Sequence, residues 1–265
     1  MKSSNFLMLL MVAAFLSCGK ESNKPVPVPG NSLTGKLAKV SFGSEIYDSL
    51  FYTQDGKLSK ISVFFDQGGV FYKESFLFSY NANGKVDKVQ IEQADEFRYT
   101  YVNGLLAAVS RYENGVKIGY KFYNYSLNGN KLESVEEYEK LTPGSVGFVY
   151  AARVDYNYHP DGNLKEEVKY QIDQFGQATK QESTLYEDYD QHVNVDQQFR
   201  NFLYMSGVQT MQHNPKKVTR KDATNGTEQV YNYQFNYTNK QTPAKRIMTA
   251  NTGGPLGPEI TYSYY

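Results

Sequence analysis

The residues best equipped for chemistry crowd into one stretch, where Glu187, Asp188, Asp190 and Asp196 surround His192. Several carboxylates beside an imidazole make a ligand set for a divalent cation. Asp188, Asp190, His192 and Asp196 are therefore the candidate metal residues. A charged loop is more often simply solvated, and the expectation is that neither metal nor any other cofactor is bound. The rest of the chain offers less. His159, His192 and His213 are its three histidines, all in turn or loop contexts, and no His-Glu-x-x-His, paired Cys-x-x-Cys or phosphate loop accompanies them. Ser145, in Pro143-Gly144-Ser145-Val146-Gly147, has proline where a nucleophile elbow needs glycine two residues earlier. Asp155-Tyr156-Asn157-Tyr158-His159-Pro160 begins like a calcium loop, then sets proline where glycine must turn. With no catalytic residue to name, the chain reads as a non-enzyme.

Covalent chemistry of another kind is offered by Cys18, the single cysteine among 265 residues. A secreted chain that folds without disulfides has no structural reason to keep it. Lys2 and the apolar run Phe6 to Leu16 precede it. That run falls well short of the roughly 20 residues a spanning helix needs, and it reads as a signal h-region. Phe15-Leu16-Ser17-Cys18-Gly19 resembles the lipobox of bacterial lipoproteins, with Phe15 where that pattern usually has leucine. The resemblance implies that residues 1–17 are a signal peptide and that Cys18 becomes the lipidated residue. An ordinary cleaved signal or an uncleaved anchor is the alternative. Gly19 rather than aspartate follows the cysteine, which by the same resemblance permits outer-membrane delivery. Lys20-Glu21 is similar to the charged surface-export tag of Bacteroidetes-type lipoproteins. Residues 18–32, with Pro25, Pro27 and Pro29 alternating with valine, read as an extended tether of roughly 3 Å per residue. The expected address is the outer membrane, on its periplasmic or cell-surface face.

Composition narrows the partners. Lys and Arg total 28 against 28 Asp and Glu, so no basic field exists for nucleic acid. There are 24 tyrosines and 16 phenylalanines but no tryptophan. Exposed tyrosines stack on sugar rings, which makes a glycan a possible partner. The plainer use of tyrosine is to fill a core while its hydroxyl reaches the rim.

What positions these residues is a repeated hairpin. Asp55-Gly56, Asn83-Gly84, Asn103-Gly104, Asn114-Gly115, Asn128-Gly129, Asp161-Gly162 and Asn225-Gly226 each lie between stretches rich in Tyr, Phe and Val. Asx-Gly is the strongest short-range hairpin signal, because both residue types tolerate the positive φ of tight turns. Around several turn glycines a phrase recurs, Gly-Lys-Leu/Val-x-Lys-Val/Ile, at Gly35, Gly56 and Gly84. Gly104-Leu-Leu106-Ala-Ala-Val109 keeps the spacing, Gly129 to Leu132 and Val135 carries one inserted residue, and Gly162-Asn-Leu164 meets Glu167 at the final apolar position. Tyr52, Tyr80, Tyr125 and Tyr158 stand ahead of these turns. Because Leu and Val are three apart, a bulge after the turn is needed to put both on one face. Elsewhere alternation is strict, as in Phe97, Tyr99, Tyr101 and in Tyr231, Tyr233, Phe235, Tyr237, the pattern of a half-buried strand.

On the order of 12–16 strands are expected, and an open sheet that long tends to curl or split. The predicted fold is all-β: an antiparallel up-and-down meander over residues 33–265, strongly curved or barrel-like, with an aromatic inner face. Val195, Phe199, Phe202 and Leu203 recur at helical spacing, with Asn194 as a cap and Gly207 as a stop. They predict one short helix near 194–206, plugging an end of the sheet or covering an edge.

Two families share these features. The Tyr-x-x-x-Gly-x-Leu phrase resembles the YD-repeat hairpins of Rhs-type shell proteins, although Tyr-Asp is mostly missing from it and the copies are too few to wind a cocoon. Tyr189-Asp190-Gln191-His192-Val193-Asn194-Val195 and His213-Asn214-Pro215-Lys216-Lys217-Val218 are similar to two stretches of secreted Bacteroidetes-type lipoproteins of unknown function, with Val195 replacing a proline. That resemblance implies a porin-like β fold and brings no activity with it. The expectation is a monomeric, lipid-anchored envelope protein that scaffolds or binds a partner or glycan. An integral outer-membrane barrel or pore is the alternative, since lipid-out and water-in strands also alternate.

Overall fold

The structure, a computed structural model, describes residues 35–43, 45–91, 95–127, 131–140, 147–196, 202–250 and 254–265. Cys18 with its tether, Gly129 and Ser145 fall outside them. The strands are β1 (Leu37–Phe42), β2 (Ile46–Tyr52), β3 (Leu58–Gln67), β4 (Val70–Tyr80), β5 (Val86–Ile91), β6 (Asp95–Val102), β7 (Leu105–Glu113) and β8 (Val116–Tyr125). They continue as β9 (Leu132–Glu139), β10 (Val149–Tyr158), β11 (Leu164–Ile172), β12 (Ala178–Val193), β13 (His213–Asp222), β14 (Glu228–Tyr237), β15 (Pro243–Ala250) and β16 (Ile260–Tyr264). Each pairs antiparallel with its neighbours in sequence, and β16 returns to pair with β1. The meander thus closes into a sixteen-stranded barrel, which leaves no free edge.

Up-and-down topology sends alternate turns to opposite ends. Gly56, Gly84, Gly104 and Gly162 lie at one end, here called the mouth, and Gly115 and Gly226 at the far end. Among the described Asx-Gly pairs, only Asn103-Gly104 and Asn114-Gly115 have positive φ at both residues, 49° and 82° and 49° and 76°, as a two-residue turn demands. Gly56, Gly84 and Gly162 close longer loops, their amides donating to Thr53, Asn81 and His159.

The bulge expected after the mouth turns is present in hairpin after hairpin. Opposite Phe51 and Tyr52 stand Lys60 and Leu58, with Ser59 left over. Asp87, Ala107, Glu133, Lys165 and Ala244 are the extra residues at the same place in later hairpins. The extra residue turns both apolar members of each phrase inward. Leu50, Ile61, Phe76 and Ile91 are register partners forming one buried inner row.

Outside, polar and charged residues are interleaved with aromatic ones. Ser79, Lys88, Arg98 and Ser110 are successive partners on the outer face, and Lys88 and Arg98 both pair with Glu96. Aromatic residues on this face sit under cations: Lys39 over Tyr47, Lys60 over Phe51, Lys73 over Phe64 and Lys117 over Tyr120.

The predicted helix is the part of the expected fold that is not supported. Among the described residues there is no α-helix. Residues 197–201 lie outside them, while 194–196 and 202–206 run as turns and irregular backbone. This β12–β13 connection folds back into the lumen as a plug. Val195 is buried, and Phe202 meets Phe76 edge-on at 4.9 Å between ring centres. Tyr99 and Tyr123 donate their hydroxyls to the carbonyls of Leu203 and Tyr204. Asn194 accepts from the amide of Asp196 at 2.9 Å, the bond expected of a cap, but the residues that would carry a helix on from it lie outside the described ones.

Candidate functional site

The mouth is built from the repeated phrase itself. In each of several hairpins the tyrosine before the turn donates its hydroxyl to the carbonyl of the first apolar residue of an earlier phrase. Tyr52 reaches Leu37 (2.9 Å), Tyr80 reaches Leu58 (2.7 Å), Tyr158 reaches Leu132 (2.9 Å) and Tyr264 reaches Pro243 (2.6 Å). The phrase lysine lies over the same ring: Lys36 over Tyr52, Lys57 over Tyr80, Lys85 over Tyr101 and Lys131 over Tyr158. Lys36 also donates to the carbonyl of Gly56 at 2.7 Å, and a Cβ on Gly56 would come within 3.1 Å of its Cε. Gly56 thus answers two demands, a φ of 77° and the passage of a lysine.

Two rungs of this ladder stay open. Among the described residues the hydroxyls of Tyr101 and Tyr125 make no hydrogen bond, and both line a mouth cavity of about 750 Å³. Burial pushes the phenol of Tyr101 up to about 12, so it remains a donor at any physiological pH. The charged residues lining this cavity are Lys85 and Lys131, and the plug residues Ser206 to Thr210 form its floor.

The plug is clamped where it leaves and re-enters the wall. Asp190 accepts from the amide (3.2 Å) and side chain of Asn214, whose Nδ2 also reaches the carbonyls of His192 and Val193. Asn194 donates to the carbonyl of His213 at 3.1 Å. Asn163, fully buried, accepts from the amides of Gln212 (2.9 Å) and His213 (3.1 Å). The stretches 189–195 and 213–218, which carry the lipoprotein resemblance, therefore touch one another and form the neck of the plug.

Beneath the neck lies an inner cavity of about 210 Å³, lined by Tyr156, Glu167, Tyr186, Tyr233, Phe235 and Arg246 among others. Val208 and Thr210 of the plug line both cavities. Asp196 is bonded to the Arg246 guanidinium and accepts from Tyr262 at 2.7 Å. Enclosure in the lumen raises the pKa of Glu167, with Lys169 opposing the shift.

The candidate metal residues are scattered by this arrangement. Asp196 is in the lumen, committed to Arg246. Asp190 accepts from Asn214 and from the Tyr237 hydroxyl, and His192 packs on the Tyr237 ring at 3.9 Å. Asp188 is exposed, at a φ of 55°, and Glu187 pairs with Lys217 at 2.9 Å. Among the described residues no three His, Cys, Asp or Glu side chains come together as a metal would require. Arg246 escaped the sequence reading, because its place relative to Pro243 is visible only once that hairpin is recognised as another copy of the phrase.

No protein-family profile matches the chain, and no curated protein resembles it at a meaningful level. Solved structures do. A porin-like protein from Bacteroides uniformis superposes with a TM-score of 0.58 at 12% identity, covering 88% of this chain and 98% of that one. A porin-like protein from Bacteroides vulgatus gives 0.53 at 14% identity, covering 86% and 98%. A TcdB2-TccC3 toxin complex aligns over 12% of its length at a TM-score of 0.22, too low to carry an argument. At such identities the likeness is one of fold: the chain is built as a porin-like barrel.

Proposed function

We propose that this protein is a non-enzymatic, monomeric component of the cell envelope, held to the outer membrane through lipid on Cys18, which binds or scaffolds a partner or glycan at its plugged mouth. The observation that carries the reading is the polarity of the wall. A membrane-spanning barrel presents an apolar band about 25 Å tall to lipid and keeps water inside. Here the buried aliphatic rows face a plugged lumen. The outer face mixes lysine, serine, arginine and glutamate with aromatics such as Tyr47, Phe64 and Tyr120 that lie under lysine ammonium groups, and with exposed Leu77 and Phe122. Several strands, among them β1, β5 and β16 with 6, 6 and 5 residues, also fall short of the roughly 9–11 that a tilted spanning strand needs. The tether joins next to Gly35 at the mouth end, so the mouth would look back along a stalk of up to roughly 45 Å if extended.

The closed barrel and its porin-like neighbours favour the second reading, an integral outer-membrane pore. Residues 31–265, produced without lipid or detergent, separate the two. The expected outcome is a soluble, folded monomer that leaves a planar bilayer silent. A requirement for detergent, or stepwise conductance, would establish the pore. Lipid labelling of the full chain, abolished by Cys18→Ser, checks the anchor.

A further inference from the structure

Five phrases end on an aliphatic residue in the lumen: Val40, Ile61, Val89, Val109 and Val135, none more than 5% exposed. Two hairpins break that rule. Glu167 stands three residues after Leu164, and Arg246 three residues after Pro243, each just beyond the same one-residue bulge. Both line the inner cavity. The Arg246 side chain is 5% exposed and bonds Asp196 through Nη1, while its Nε has no hydrogen-bond partner. Glu167 is hydrogen-bonded to Tyr186, which leaves much of a carboxylate's acceptor capacity unused. A buried donor without an acceptor costs stability, as does a desolvated carboxylate. Valine at position 167, as in the other phrases, would serve the fold better. The departure from the repeat therefore points to an occupant.

That occupant must offer an acceptor to Nε of Arg246 and a donor to Glu167 within one small space, against the side chains of Tyr156, Tyr186, Tyr233 and Phe235. A hydroxyl group both donates and accepts, and the C–H faces of a sugar ring pack on aromatic rings. We propose that the inner chamber binds a single sugar ring, either a free monosaccharide or the end residue of a glycan entering through the mouth past Val208 and Thr210. An organic amine would meet the Arg246 guanidinium, and an inorganic anion would meet Glu167 and Asp196. The proposal rests on the reading of the barrel as a binding rather than a conducting protein.

The test uses the whole mature chain in thermal-shift and calorimetric titrations. The probes are glucose, galactose, N-acetylglucosamine and galacturonate, with choline chloride and inorganic phosphate as the amine and anion. At least one sugar should raise the melting temperature by about 2–4 °C. Glu167→Val should raise the ligand-free melting temperature and erase the sugar response. Glu167→Gln, which keeps hydrogen bonding without charge, should retain part of it. The proposal is overturned if none of the four sugars binds at millimolar concentration, if only choline or phosphate binds, or if Glu167→Val lowers the ligand-free melting temperature. A soluble, silent barrel that ignores every sugar sinks the chamber alone, whereas conductance sinks the broader reading whatever the titrations show.

Discussion

Along β1–β9 the mouth phrases end on aliphatic residues, and the plug's Phe202 and Tyr204 press against Phe76 and Phe97. Along β10–β15 the same hairpins carry Glu167 and Arg246 at that place, and a chamber opens between wall and plug. The buried residues of the contiguous core come from β1–β9, β16 and Val195 of the plug; among the described residues β10–β15 supply none. One local code thus puts an aliphatic or a charged residue into the lumen, according to a single position in each repeat, while the larger mouth cavity is lined by β4–β9 residues as well. Backbone geometry is indifferent to the choice, because the one-residue bulge after the turn is the same in both halves.

The harshest way to break the hollow half is to strand a charge in it. Asp196→Ala leaves Arg246 buried without its counter-ion, and the expected loss is about 3–5 kcal/mol in urea denaturation. Lys88→Ala, which removes an ion pair from the outer wall, should cost less than about 1 kcal/mol. Similar losses for the two variants would mean that Asp196 is not the partner holding Arg246.

The packed half contains a buried carboxyl of its own, and it tests the comparison through pH. Asp48 is a register partner of Val40 and Val63, and burial pushes it up to about 6 from 3.8. An acid whose pKa is raised on folding favours the fold while protonated, so its contribution is complete below about pH 4 and disappears as pH rises through about 6. The total change is roughly 3 kcal/mol. Asp48→Asn should flatten that part of the stability profile, measured by denaturation at intervals between pH 4 and 7. An unchanged slope would place the titrating group elsewhere, with Glu167 the first to examine.

The smallest effect separates the closed rungs of the mouth from the open ones. Tyr80→Phe removes a hydroxyl bonded to Leu58 and should cost about 1 kcal/mol. Tyr101→Phe removes one with no partner among the described residues and should change stability by less than about 0.5 kcal/mol. Equal losses in the two variants would show that the ladder is continuous through Tyr101.

Much of this barrel was legible in the chain. Asx-Gly pairs and period-2 aromatics announce antiparallel hairpins, and the three-residue spacing of Leu and Val requires a bulge that the register displays. Even the break in the repeat at Glu167 could be seen. The plug was anticipated only as a short helix that closes an end of the sheet or covers an edge. Val195, Phe202 and Leu203 predict a helix that the described residues do not show, and nothing local says that the partners of Leu203 and Tyr204 will be hydroxyls from β6 and β8. The acidic residues around His192 invited a metal reading because they are close in sequence. Asp196, however, enters the lumen while Glu187 stays on the wall, and a bulge at 190–192 turns Asp190 toward Asn214.

Strand, turn and bulge follow from short-range sterics, since the positive φ of a turn and the two-residue period of a strand need only a few neighbouring residues. By itself, then, the sequence specified a meander with an aromatic inner face. Closure of β1 on β16, the descent of the β12–β13 connection into the lumen and the placing of Glu167 and Arg246 on one chamber were decided by tertiary structure. These contacts join residues tens to hundreds of positions apart, and their geometry exists only once the whole wall has curved around a common core.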